Sequence, residues 1–349
     1  MNSKNNRPLF HQAGFTLVEI MVGLAIGMLA TLIIIQVISV FEAQKRTTTG
    51  TADAQTNGSI ALYNLGRELQ LAGYALMPVV NSPLECTILN ISGVADATTP
   101  NRLSPVAITD ATSDSITIRY GNSPTGGVPI QITMGTPTAF DATVNDNFSC
   151  PAGDTAVAIS ADGTTCNMTA VTSSVATTVT LAHAVTGVEL ACLGNWNEVT
   201  YSVANSNLVR TDATGAATPT VAGIVNLQAQ YGISNSVNSN QVTQWVDATG
   251  GWAAPSVANR NRIKAIRIAV VARNQKLEMN DVTGACSSIT ASAPAGTCAW
   301  EGSTASPAPT LDLGTDAEGN AVPDWQRFRY RVFETIIPLR NVIWSKGTL

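Results

Sequence analysis

Apolar positions fall along this chain in two rhythms. From Phe15 to Phe41 the run is apolar almost without interruption: it holds one charge, Glu19, no Pro, and a dense second half of Ile33, Ile34, Ile35, Val37 and Ile38. As a helix, this run reaches roughly 40 Å, enough to cross a bilayer core of about 30 Å with some tilt. Thr47–Thr51 is polar and β-branched. Beyond it Leu62, Leu65, Leu69 and Ala72 recur at spacings of three and four, with Arg67, Glu68 and Gln70 off the stripe. Gly73 stands where a C-cap is expected, and Pro78 blocks continuation. The pattern predicts one helix from Phe15 to about Ala72, on the order of 85 Å long, apolar all round and then amphipathic.

The second rhythm has a period of two. Ser115–Tyr120, Val128–Met134, Thr155–Ser160, Thr177–Leu181 and Glu198–Val203 read as strands, and 204–207 reads as a hairpin turn into Leu208–Thr211. In Ile224–Ile233, Val225, Leu227, Ala229 and Tyr231 share one face, opposite Asn226, Gln228 and Gln230. In Arg262–Arg273, Ile266, Ile268 and Val270 oppose Arg267 and Ala269. In Gln326–Thr335, Phe328, Tyr330 and Val332 oppose Arg327, Arg329 and Arg331. Residues 81–114 read as loops with short strands, and no repeat of 20–50 residues is evident. The expected class is α+β: a long N-terminal helix followed by an antiparallel β-rich head.

Charged residues make up 12% of the 349 and apolar ones 45%, with abundant Gly, Ala, Ser, Thr and Asn, which fits an extracytoplasmic β-rich chain. The formal charge of −5, becoming −7 without Lys4 and Arg7, argues against general nucleic-acid binding. The six cysteines form no C-x-x-C and there are two His, so disulfides are favoured over zinc or thiol chemistry. Cys286 and Cys298 close a short Ser/Ala/Pro-rich loop and are the first expected pair. Cys150–Cys166 is the second, which leaves Cys86–Cys192 by elimination. Other chemistry is thin. Asp312, Asp316, Glu318, Asn320 and Asp324 gather before the last strand as a weak calcium candidate, but Arg327 stands where an EF-hand needs its bidentate Glu. Arg327, Arg329 and Arg331 read as a basic strip or as partners of nearby acids. His183 reads as structural. No catalytic set, P-loop or cofactor site is evident, so a structural subunit is favoured over an enzyme.

A secretory signal is short and is cut after its apolar core. Here the conspicuous small residue, Gly14, precedes an apolar segment about twice that length, behind a leader that carries Lys4 and Arg7 and no acid. Gly14-Phe15-Thr16-Leu17-Val18-Glu19 resembles the cleavage motif of type IV prepilins and pseudopilins. The resemblance implies a leader of residues 1–14 removed by a prepilin peptidase, with Phe15 then N-methylated. It also implies a membrane or filament-core helix over 15–41, an amphipathic continuation over 42–74 and a β-rich head over 75–349. A carboxylate inside a membrane-length run costs a few kcal/mol without a partner. In the first turn the helix dipole favours it, and the nearest cation available is a Phe15 amine, its own or a neighbour's. The resemblance implies the neighbour's. Gly23 and Gly27 form a G-x-x-x-G that permits close helix approach. The family's frequent Pro in this helix is missing around Gln36.

Asn57–Leu62, Arg67–Tyr74, Val225–Gly232, Ile263–Arg273 and Arg329–Asn341 are similar to the PilW-type minor pilins. That implies a subunit taking part in initiation of a type IV pilus, in a tip complex with other minor pilins. Its partners would be the prepilin peptidase, the major pilin, an inner-membrane assembly platform and a tip adhesin. The Lys/Arg leader places the N-terminus in the cytoplasm and the head outside; the chain would be held in the inner membrane and later in the pilus. The alternatives are a type II secretion pseudopilin and a pilus-associated adhesin or DNA-binding subunit.

Overall fold

The computed structural model describes residues 14–76, 86–95, 100–134 and 140–344. Lys4, Arg7 and His11 lie outside them. One helix, α1 (Leu17–Leu71), opens the described chain. The strands follow: β1 (Ile88–Ile91), β2 (Val94–Ala95), β3 (Val106–Thr109), β4 (Ser115–Tyr120), β5 (Ile130–Met134) and β6 (Asp141–Val144). Next come β7 (Thr155–Ile159), β8 (Thr165–Val175), β9 (Thr178–Leu181), β10 (Glu189–Gly194), β11 (Asn197–Ala204) and β12 (Asn207–Thr211). The last are β13 (Ala217–Ala222), β14 (Ile224–Ile233), β15 (Gln244–Val246), the short α2 (Val257–Arg260), β16 (Ile263–Arg273), β17 (Tyr330–Pro338) and α3 (Arg340–Trp344). Compact packing divides the chain between Gly50 and Thr51, and each unit is described by itself.

In the second unit, Ala54, Ala61, Leu65, Leu69 and Ala72 are buried at helical spacing. They share one core with Ile116 and Ile118 of β4, Val199 and Tyr201 of β11, and Ile266, Ile268 and Val270 of β16. Gly58 interrupts the stripe because the Phe333 ring packs directly on it, leaving no room for a Cβ. The helix ends by two devices. Gly73 takes a positive φ of 77°, and Asn341 Nδ2 donates to the carbonyls of Gln70, Leu71 and Ala72, which no helical N–H reaches.

Three sheets make up the rest. The four-stranded sheet has the order β15-β14-β16-β17, and the five-stranded one β13-β12-β11-β4-β3. The eight-stranded sheet has the order β2-β1-β8-β7-β10-β5-β6-β9, with β9 pairing again with β8; β1–β8 is its parallel pair. Two of the sheets are tied together by residues 111–114. The Asp114 carboxylate accepts from Ala111 N–H (3.1 Å) and from Ala229 N–H of β14 (2.8 Å). The Thr112 carbonyl accepts from Asn226 Nδ2 and Gln228 Nε2. Asp114 is 1% exposed, and burial, its largest influence, pushes its pKa up to about 7 against those two N–H donors.

Four expectations need correction. Val225 does not share a face with Leu227: a bulge between Ile224 and Asn226 turns it toward the outer cluster of Ala269, Val271 and Trp300. Asn226, Gln228 and Gln230 do oppose the apolar face, but they are buried. The last strand starts at Tyr330, because Trp325–Arg327 forms a 3-10 turn. Finally, the disulfides are Cys86–Cys166 and Cys150–Cys192, together with the expected Cys286–Cys298. Strand alternation explains the exchange. Cys166 sits opposite Ile159 and Cys192 opposite Ala156, which puts them on opposite faces of one sheet. Cys86 joins the first face and Cys150 the second.

Candidate assembly helix

The first unit carries the motif. Gly14 and Phe15 precede the helix, and the Phe15 ring is 79% exposed. Thr16 caps the helix: its Oγ1 accepts from Glu19 N–H (3.3 Å) and its carbonyl from Ile20 N–H (3.2 Å). Thr16 and Glu19 thus hold the N-cap and N3 positions, with the T-x-x-E spacing of a capping box. At N3 the Glu19 carboxylate lies in the turn where the dipole favours a negative charge, and it is exposed.

From Leu17 to Phe41 every side chain is exposed, including Leu24, Ile33, Ile34, Ile35 and Ile38. None of its most apolar 18-residue stretch is buried. Gly23 and Gly27 have open space where a Cβ would stand. A helix of this kind has nothing of its own to pack against within the first unit. It leaves an apolar surface for lipid or for other helices.

The other candidates resolve into local structure. Asp316 accepts from the N–H groups of Glu318 and Asn320 and from Asn320 Nδ2, donors that hold its carboxyl below the usual range. Glu318 accepts from Asn205 N–H (2.6 Å), and Asp324 pairs with Arg327 (3.7 Å). These carboxylates serve their own turns, and among the described residues no group of three or more His, Cys, Asp or Glu side chains is gathered as for a metal ion. They rim a cavity of about 350 Å³ where Arg273 lies over the Phe328 ring at 4.6 Å. The basic strip also dissolves in part. Arg327 donates to the Glu278 carbonyl and Arg329 to the Glu278 carboxylate (2.7 Å). His183 donates its backbone N–H to Thr169 Oγ1 (3.2 Å), and its side chain packs beside Gly93.

Residues 9–35 match the prokaryotic N-terminal methylation motif, and residues 194–341 match the family described as type IV pilus-assembly protein W. Together the two matches support a PilW-type type IV pilin. Among solved structures, a type IV-like pilin from Thermus thermophilus aligns over 82% of this chain and 96% of its own length, at 12% identity and a TM-score of 0.34. No curated protein matches the chain significantly. The matches point to a structural pilin subunit: the methylation motif implies processing by a prepilin peptidase and assembly with other pilins, and the exposed apolar helix fits a membrane anchor. The W-family match runs from the end of β10 into α3, and so takes in the four-stranded sheet, most of the five-stranded sheet and Asn341 at the helix C-terminus.

Proposed function

We propose that this pilin is a minor subunit that helps start a type IV pilus, in a complex with other minor pilins at the tip. Before assembly it sits in the inner membrane, N-terminus in the cytoplasm and head in the periplasm, as the Lys4 and Arg7 leader favours. Peptidase hydrolyses the bond between Gly14 and Phe15, and the freed Phe15 amine is methylated. Residues 15–41 then serve as anchor and filament-core helix, 42–74 as its continuation, and 75–349 as the head.

The observation that supports this reading is Glu19: one carboxylate, exposed, at N3 of a helix that is otherwise uncharged through Phe41. In lipid such a group needs a cation. The methylated amine of an adjacent subunit supplies one, and the pairing sets the axial step between subunits, while Gly23 and Gly27 let the helices approach. Contacts between unlike surfaces that do not close then extend into a filament.

The test is Glu19→Ala in a strain otherwise complete for pilus genes. Insertion and leader removal stay normal, and surface pili fall in number. Unchanged piliation contradicts the pairing role, and a loss of protein secretion with pili intact assigns the subunit to a type II secretion pseudopilus instead.

A further inference from the structure

The four-stranded sheet has two very different edges. β15 is three residues long and is covered: Ser306 Oγ accepts from Trp245 N–H (3.0 Å), and Gln244 Nε2 donates to the Ala305 carbonyl (2.9 Å). β17 is nine residues long and pairs with β16 in an unbroken register from Tyr330↔Arg273 to Pro338↔Ala265. Asn274 N–H donates to the Arg329 carbonyl and Leu339 N–H to the Lys264 carbonyl, so the odd-numbered residues direct their backbone groups at β16. The N–H and C=O of Val332, Glu334 and Ile336 therefore point away from the sheet, and no described group pairs with them. Pro338, next in that series, has no N–H and ends the open run, as an edge proline does.

A groove of about 630 Å³ runs beside this edge. Leu62, Tyr63 and Gly66 of α1 form one wall, and Phe333, Ile336 and Ile337 of β17 the other. Tyr63 is 67% exposed and Ile336 52%. Phe333 packs at Gly58 and Ile337 at Gly66, so helix and strand run the same way. Arg331 therefore marks one end of the groove and Arg67, in its wall, the other. Both are exposed, and neither has an ion-pair partner among the described residues.

A long edge with unpaired N–H and C=O groups invites pairing, and folded proteins cover, shorten or charge such edges. This one is left open next to an apolar trough with a cation at each end. We propose that β17 is a docking strand: an extended segment of another protein adds to it as a fifth strand, its alternate apolar side chains in the groove and its carboxylates at Arg67 and Arg331. A second copy of this chain is the poorer occupant, because pairing β17 with itself in antiparallel fashion brings the two cationic ends together. The proposal does not require the filament role of the helix.

The test uses the full-length protein in detergent and the peptide acetyl-Asp-Val-Thr-Val-Thr-Val-Asp-amide at about 1 mM, a level that reveals even weak binding. Amide exchange at Val332, Glu334 and Ile336 should slow at least about twofold. Ile336→Pro removes an outward N–H together with a half-exposed side chain of the groove wall, and should abolish the effect while leaving the circular dichroism and melting temperature in place; Val332→Pro, at a residue that does not line the groove, removes an outward N–H alone from the site and serves the same end should that variant misfold. A peptide with Lys for both Asp should give no slowing. The proposal is overturned by unchanged exchange with the acidic peptide, by undiminished binding in the proline variants, by equal binding of the Lys peptide, or by self-association through this edge.

Discussion

Two carboxylates sit in apolar surroundings in this pilin, and their settings differ. Asp114 is enclosed in the head, with two backbone N–H donors on its oxygens and Leu227 accepting from its own N–H. Glu19 stands on the exposed apolar helix and receives no such enclosure. The same contrast holds for the apolar side chains. Leu65 and Leu69 are buried in the head, whereas Leu24 and Ile33 are bare. The head thus pairs this carboxylate and buries these leucines itself, while the N-terminal helix leaves its carboxylate and its apolar surface exposed. That division is what a subunit stored in a membrane and later built into a fibre requires.

The largest expected effect tests the head's half of the comparison. Below about pH 4 Asp114 is protonated whether the chain is folded or not. As pH rises toward 7 the unfolded chain ionises while the folded one, its carboxyl pushed up to about 7 by burial, resists, so stability is lost across that window and then levels off, by as much as about 4 kcal/mol. Asp110 and Asp154 are raised by burial and act in the same direction, and the exposed Asp162 and Asp212 are lowered and oppose it. Comparing melting at pH 4, 5.5 and 7 with Asp114→Asn isolates the one group. The variant should show the flatter curve, and parallel curves contradict the assignment.

Next in size is a matched pair of leucines. Leu65→Ala leaves a cavity in the main core and should cost the head about 3 kcal/mol. Leu24→Ala removes the same atoms from an exposed position and should leave head melting in detergent unchanged. Equal effects would erase the distinction between the two regions.

Much of this contrast was readable from spacing. The three-and-four recurrence of Leu65, Leu69 and Ala72 anticipates the buried stripe, which Ala61 rather than Leu62 continues, and alternation anticipates β4, β16 and, beyond its bulge, β14. The hairpin turn is legible too: Asn205 and Ser206 both take positive φ, of 50° and 57°. What escaped was set by tertiary context. β10, Glu-Leu-Ala-Cys-Leu-Gly, is buried on both faces and so shows no alternation. The bulge at Val225 leaves no local mark. The cysteine pairing depends on which face of a sheet each residue occupies, and sequence distance carries no information about that. Asp114 looks like any turn aspartate until β14 lies over it. The capping box at Thr16 and Glu19 was legible and is the signal that places Glu19 at N3.

The account rests on a helix that stays with the protein after its leader is removed. The most direct measurement is the mass of the N-terminal peptide of the chain purified from its own cells. An N-methylated Phe15 at the start, followed by the intact apolar helix, is the expected result. A chain still beginning at Met1, or one starting beyond Phe41, would contradict it.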